Sequence, residues 1–556
     1  MKKKLMSFVL AAAVLSLVSC SASGSTHNDQ SSEKLTETAE TNTPAGTENV
    51  STNKPEETVT QALTEPEPFE VGSMPVLSIM TSDQGSGSLD FVTKPVTRHV
   101  AVAKASWTPG YKIPPEPYYE ECTVTLTDTD NSVLLDSAEA KVKVRGNWTT
   151  SYDKKPLRIK FSEKQNLLGL NNGNEYKNWV LLAEYKDYSM LRDKTALAIS
   201  REILGADGLY ASDAELVEVQ INNEYWGVYL LAEFQQINEG RVDITDVQKD
   251  YTGTDIGYFL EFDGYYDNEE PLKGFLPDYH DNAPLVPYNG DESASRSMTC
   301  LNDGSDPYKS SVGITIKSDI YSQQQHDFIE SYINNVYDIM YYAAYEDKAY
   351  AFNADYSAIS ESSSLTPEAA VRAVVDVDSL ADTYLLNELF CDADLYWSSF
   401  FMDVDFGDSG SRMLRFEAPW DFDSALGNKD RCANGQGFYA ANILTDVNDT
   451  YYTINPWLAV IINTDWFQDV IKEKWTAAYE GGTFSRAASM IEQDSDTHTE
   501  AFARNYAKWK NNTTRSEVSG ELCRAALKCS TEKEAADYLE SWLAVRVEFI
   551  NDQWHK

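Results

Sequence analysis

Positive charge is scarce in this chain of 556 residues: 46 Lys and Arg stand against 88 Asp and Glu, for a net charge of −42. Such a surface repels nucleic acid and anionic membrane at the electrostatic step, so no nucleic-acid partner is expected, and divalent cations or basic protein segments are more natural ones. Long apolar runs are nearly absent as well. The run from Leu5 to Val18 is shorter than a bilayer span and follows Lys2, Lys3 and Lys4, so residues 1–20 read as a secretory signal, not a permanent membrane helix. Residues 17–20, Leu-Val-Ser-Cys, resemble a bacterial lipobox. That implies an extracytoplasmic protein held to the membrane by a lipid on Cys20 alone. The cysteines after Cys20 include no C-x-x-C pair, which argues against zinc; outside the cell they can form disulfides or stay as buried thiols. H-R-D, a Walker lysine motif, H-E-x-x-H and G-x-S-x-G are all missing, so classical kinase, P-loop, zincin and α/β-hydrolase readings find no support.

Residues 21–72 are rich in Ser, Thr, Glu, Asn and Pro and poor in large apolar side chains. They cannot offset the entropy of ordering and are expected to be a disordered linker. From residue 73 the pattern changes. Apolar and polar positions alternate in PVLSIMTS, CTVTLTD (122–128), KVKVRG (141–146) and PLRIKF (156–161), which predicts a β-rich region over 73–235. Within it, residues 187–205 have helical spacing and a terminal Gly205, and 216–233 reads as a hairpin around Asn222-Asn223-Glu224. Residues 236–430 form a second region with an insertion near 265–311, and 431–556 complete it with helices. The last helix opens with Thr531-x-x-Glu534 and sets Leu539, Trp542, Val545 and Phe549 on one face. The expected architecture is α+β, with a β-rich lobe followed by a mainly helical lobe.

Carboxylates crowd the stretch near residue 400. Two β-prone runs, 397–404 and 412–419, flank a Gly-, Asp- and Ser-rich segment, which predicts an antiparallel hairpin. Asp394 precedes the first run and Asp421 follows the second, so pairing brings both to one end, with Asp423 beside them. Asp405, in a literal Asp-Phe-Gly, falls at the other end, about 26 Å away, and reads as a solvated turn. Charges that close repel unless a cation or a shared proton intervenes, and a few carboxylate oxygens suit Mg²⁺ or Mn²⁺. Two other readings stand beside this one: caps for helices and turns, or the acid and base of a glycosidase next to Trp397 and Trp420.

Six blocks in order carry a resemblance. KVRGNWTTSYDKKPLRIKF, NWVLLAEYKDYSMLRDK, VEVQINNEYWGVYLLAE, GITIKSD, NELFCDADLYWSSFFM and APWDFDSALGN resemble the CotH (spore-coat protein H) kinase family over roughly residues 75–430. The resemblance implies a bilobal atypical protein-kinase-like fold, with a β-rich N-lobe and a mainly helical C-lobe. It also implies ATP and Mg²⁺ or Mn²⁺ as cofactors, and Ser or Thr of secreted or surface proteins as substrates. Carried over by position, Asp394 matches the catalytic aspartate and Asp421 the metal-binding one, with Asp423 a second ligand. Arg145 and Asn147 fall where a nucleotide-covering loop is expected. Lys155 or Lys160 follows as the phosphate cation, Lys160 favoured because it shares a strand face with Arg158. Glu202 is the expected ion-pair partner, and the chain at Glu233 offers backbone groups to adenine. Asp392 stands where the family has Asn, and Asp319 where it often has Pro, so a kinase-shaped scaffold without chemistry is the alternative, as is a carbohydrate-active enzyme.

Overall fold

The computed structural model describes residues 71–288, 312–429, 433–442, 444–445, 452–510 and 516–556. The expected signal segment, Cys20, the expected linker through residue 70, Cys300, Cys432 and the 289–311 part of the expected 265–311 insertion lie outside the described residues. Seven strands, β1 (Val76–Thr81), β2 (Glu120–Thr127), β3 (Val133–Val144), β4 (Leu157–Gln165), β5 (Tyr176–Leu182), β6 (Ala214–Ile221) and β7 (Glu224–Glu233), close into one barrel. The order around it is β1-β2-β3-β4-β5-β7-β6. Neighbours are antiparallel except β1 and β6, which run parallel with Val76 opposite Glu218 and Ile79 opposite Ile221.

Period-2 alternation fills the barrel. Leu77, Val124, Val142, Ile159, Trp179 and Leu231 point inward and form one core. On β5, β6 and β7 the outward face is apolar too: Val180, Leu182, Leu216, Leu230 and Ala232 pack into a second, larger core with the helices. Strands buried on both sides lose the polar half of the pattern, which is why 179–182 and 228–232 read as unbroken apolar runs. The β6–β7 turn places Asn222 at φ 53° and Asn223 at φ 63°, as a two-residue hairpin loop requires.

After α1 (Asp90–Thr93) and α2 (Arg98–Trp107), the long helix α3 (Arg192–Ala206) interrupts the barrel strands. The Asp187 carboxylate starts it by accepting the N–H groups of Leu191 and Arg192 at 3.0 and 2.9 Å. Gly205 stays within the helix; the stop is Gly208 at φ 75°, with Leu209 N–H bonded to the Leu204 carbonyl at 3.0 Å. A four-stranded sheet follows, built from β8 (Gly257–Asp263), β9 (Gly274–Phe275), β10 (Gly313–Ile316) and β13 (Phe400–Asp405) in the order β13-β8-β10-β9. Between them lie a small hairpin, β11 (Tyr350–Phe352) and β12 (Ile359–Glu361), and helices α4 (Tyr279–Asn282), α5 (Gln323–Tyr345), α6 (Pro367–Arg372) and α7 (Val377–Phe390). The remainder is helical: α8 (Pro456–Ala459), α9 (Asp465–Glu480), α10 (Thr483–Thr497), α11 (Thr499–Trp509), α12 (Ser516–Ser519) and α13 (Glu532–Trp554). Among the described residues no helix is long and apolar enough to cross a membrane.

Three expectations are corrected. The class is α+β, but a closed seven-stranded mixed barrel with helices and smaller sheets replaces the bilobal protein-kinase-like fold. The closing contact is the parallel β1–β6 pair, which joins residues far apart in the chain and leaves no local pattern. The 397–404 and 412–419 hairpin is reduced to a bridge between Asp403 and Arg415, because β13 takes β8 as its main partner, with Phe400 opposite Phe262. On α13, Val545 is exposed; Arg546 takes its place between Leu543 and Ile550 on the buried face. Cys122, Cys391, Cys523 and Cys529 are buried.

Arg546 earns that burial through α7. Its guanidinium meets Glu388 at 2.5 Å, both side chains fully enclosed, while the two Glu388 oxygens also accept Tyr439 N–H and Ala440 N–H at 2.6 and 2.8 Å. Removing one partner strands the other charge. Arg546→Met is expected to lower stability by about 3–5 kcal/mol, read as a shift of the urea midpoint at unchanged slope.

Candidate active site

Two loops build the acidic centre. Helix α7 ends at Phe390, and Cys391 turns the chain through a left-handed φ of 50°. Asp392 then accepts Asp394 N–H at 3.0 Å, and the Asp394 carbonyl accepts Trp397 N–H and Ser398 N–H at 2.7 and 2.9 Å, which fixes the turn that carries Asp394. The second loop follows Pro419. Asp421 holds φ 72°, costly for a residue with a Cβ and sustained by its surroundings. Phe422 is buried against Phe390, with ring centroids 5.1 Å apart, and its N–H donates to Asp193 of α3 at 2.7 Å. With Phe422 anchored inward, its neighbours Asp421 and Asp423 face the Asp394 turn. Carboxylate oxygens of Asp394, Asp421 and Asp423 all lie within 4.8 Å of one another.

This crowding shows in the protonation equilibria. Burial first, then the charges of Asp423 and Asp394, push the Asp421 carboxyl well above the usual range. Burial and Asp394 do the same to Asp392. Asp423 is raised by burial, and Lys186 opposes the rise. Lys186 Nζ lies 2.8 Å from Asp423 and 2.6 Å from the Ser424 hydroxyl; although burial alone would lower it, Asp423 and Glu521 hold its pKa well above the ordinary value. Behind this pair, Glu184 and Asp193 meet carboxyl to carboxyl. Burial and neighbouring acids raise Glu184 strongly and Asp193 to about 7.

The other expected residues are scattered. Arg145, at the end of β3, stands over the Trp420 ring at 5.5 Å; burial lowers its pKa, and the Asp421 charge resists that fall, so it belongs to the acidic centre. Asn147 is exposed, and its carbonyl accepts the Thr150 hydroxyl at 2.7 Å to shape the 148–151 turn. Lys155 is buried and donates to the carbonyls of Thr150 and Tyr152. Lys160 is exposed on the barrel wall opposite Lys141, and Glu202 pairs with Arg486 of α10, so these two do not form the expected pair. Glu233 is enclosed at the end of β7, where its side chain accepts from Asn171 at 2.7 Å and Arg241 at 3.0 Å. Asp405 is no free turn: its carboxylate accepts Thr245 N–H and hydroxyl at 3.1 Å and Gly407 N–H at 2.8 Å, tying two loops together. Trp420, 5% exposed, presents no platform for a sugar ring.

Sequence reasoning missed Lys186, Asp193, Glu184 and Glu521. A signal for the first three lay in the quoted block: charged Glu184, Lys186, Asp187, Arg192 and Asp193 interrupt a segment, 179–187 and onward, whose residues are nearly all buried. Buried charges are paired or functional.

The Asp193 proton gives a pH test. A native pKa of about 7 stands above the unfolded value of about 4. The stability it contributes is therefore complete below about pH 4 and is lost as pH rises toward 7. Asp193→Asn keeps an acceptor for Phe422 N–H and removes the titration. In EDTA, this variant is expected to raise the melting temperature relative to the parent at pH 8 more than at pH 5.

No curated protein matches the chain. A family model described as CotH kinase protein matches residues 142–550, beginning in β3 and ending within α13. The match takes in both aspartate loops and extends through the C-terminal helices that the block resemblance had left out. With most of its length and every residue of the acidic centre inside that match, the chain belongs to the CotH kinase family.

Proposed function

We propose that the protein transfers the γ-phosphoryl group of ATP to Ser or Thr hydroxyls of secreted or surface proteins, with Mg²⁺ or Mn²⁺ as the ion. Family membership supports a kinase-like enzyme. The observation that carries the finer reading is the meeting of Asp394, Asp421 and Asp423 within 4.8 Å. Three carboxylates on two rigid loops fit a small divalent ion, which takes one or two protein carboxylates and fills its shell with water and phosphate oxygens. Bound there, the ion supplies charge neutralisation for the phosphates. Asp421 and Asp423 are the holding groups. Asp394 is the proton acceptor for the attacking hydroxyl, since its turn is fixed by backbone bonds and not by an ion pair.

A cation row fits the triphosphate. Lys143 on β3 and Arg158 on β4 stand directly opposite across the ladder, and Arg145 follows two residues on. Like charges so placed repel, and burial lowers the pKa of Lys143 further, with Arg158 and Arg145 adding to the fall. An anion among them relieves both effects. Arg158 also stacks on Phe234, 4.3 Å from the ring centroid, just past the end of β7. The lipobox resemblance supports an extracytoplasmic site of action, with a lipid on Cys20 as the tether.

Incubation with Mn²⁺ and ATP labelled separately at the γ- and α-phosphates tests the reading. Only the γ label is expected to enter protein, and Asp394→Asn is expected to slow its entry by roughly 10²–10⁴-fold while Mn²⁺–ATP binding persists. Label entering from the α position alone overturns phosphoryl transfer.

A further inference from the structure

The C-terminal segment between α12 and α13 reaches back to the acidic centre. Glu521 lies on this segment, and its Oε1 accepts the Tyr152 hydroxyl at 2.6 Å and the Trp148 indole N–H at 3.3 Å. Both donors belong to the turn that follows β3. The other oxygen, Oε2, is 4.0 Å from Lys186 Nζ, the ammonium that also holds Asp423 at 2.8 Å. One side chain thus touches a barrel turn on one side and the cation of the acidic centre on the other.

The surroundings leave Glu521 little freedom. Val518 packs against Tyr152 and Tyr185, whose rings stack at 5.1 Å. Cys523 N–H donates to the Asn428 carbonyl at 2.8 Å, and Asn428 Nδ2 donates to the Asp423 carbonyl at 2.7 Å. Tyr538 of α13 donates its hydroxyl to the Gly427 carbonyl at 2.8 Å. The segment therefore grips the 421–428 loop by its backbone and reaches Lys186 by its carboxylate. Lys186 sits between two acids, and its position depends on how strongly each one draws it.

We infer that Glu521 is a positioning residue for the reaction: with its first oxygen fixed by Tyr152 and Trp148, it faces Lys186 as a second counter-charge while that cation rests on Asp423, and so weakens the cation's hold on the carboxylate that a divalent ion would take. This rests on the reading of Asp421 and Asp423 as the ion-holding groups beside Asp394. It also gives the C-terminal helical region a role at that centre. Without the Glu521 charge, Asp423 is the one acid left in ion-pair contact with Lys186, beside the Ser424 hydroxyl, and the centre loses one negative charge; both changes weaken cation binding. The Tyr152 hydroxyl acts one step further out, by aiming the carboxylate.

The full chain with Glu521→Gln, Tyr152→Phe or both provides the test, with Mn²⁺ titrated by electron paramagnetic resonance in the absence of nucleotide, beside kcat and KM for ATP. Glu521→Gln is expected to weaken Mn²⁺ binding by about tenfold and to lower kcat more than it raises the KM for ATP. Glu521→Asp, which keeps the charge, is expected to restore part of the Mn²⁺ affinity. Tyr152→Phe should act in the same direction but more weakly, and the double variant should resemble Glu521→Gln alone, because the hydroxyl works only through the carboxylate. A Glu521→Gln protein that melts like the parent and binds Mn²⁺ as tightly overturns the inference, as does a loss that Glu521→Asp leaves unrelieved. Mn²⁺ binding that responds as described in a protein that transfers no phosphoryl group would uphold the role of Glu521 and refute the kinase reading separately. A parent chain that binds no Mn²⁺ would refute both.

Discussion

The arrangement turns on electrostatic repulsion held in place. Asp394, Asp421 and Asp423 are brought within 4.8 Å of one another, and Asp392, Asp193 and Glu184 stand close behind. Such a group resists folding unless protons or cations offset it. Lys186 and Arg145 supply part of the offset, and burial with the neighbouring charges raises the Asp421 carboxyl well above its usual range. Under the proposed function, a divalent ion would offset the same repulsion.

The rest of the fold supplies the stiffness that such crowding needs. Asp193 grips Phe422 from α3, Glu388 holds the 439–440 backbone while Arg546 neutralises it, and the C-terminal segment takes hold of residues 427 and 428. The barrel contributes at its edge: β3 ends at Val144, and the next residue, Arg145, already lies over Trp420 beside Asp421. Because β5, β6 and β7 are buried on both faces, barrel and helices share a core, and the barrel turn is fixed relative to the aspartate loops.

Legibility followed the range of the interaction. The strands of the first region, the Asn222–Asn223 turn, the helix α13 and the nearness of Asp394 to Asp421 all have local signals in period, turn chemistry or spacing. Where a partner comes from far along the chain the signal fades. Glu202 looked available on an amphipathic helix but is claimed by Arg486, and Lys160 looked suitable on its strand but faces solvent. Lys186, by contrast, sat unremarked in a buried run, and its second acid arrives from residue 521.

What the sequence determined by itself was the inventory: an acidic chain, alternating strands followed by helices, and two aspartate-bearing segments on either side of a turn-rich stretch. Ordered blocks were enough to indicate the family. Tertiary structure alone decided that the strands close, since the parallel β1–β6 contact joins segments about 140 residues apart, as the Val76–Glu218 pair shows. It alone decided which cations serve the acids, because pairing of buried charges is a property of distance in space, and chain spacing does not encode it.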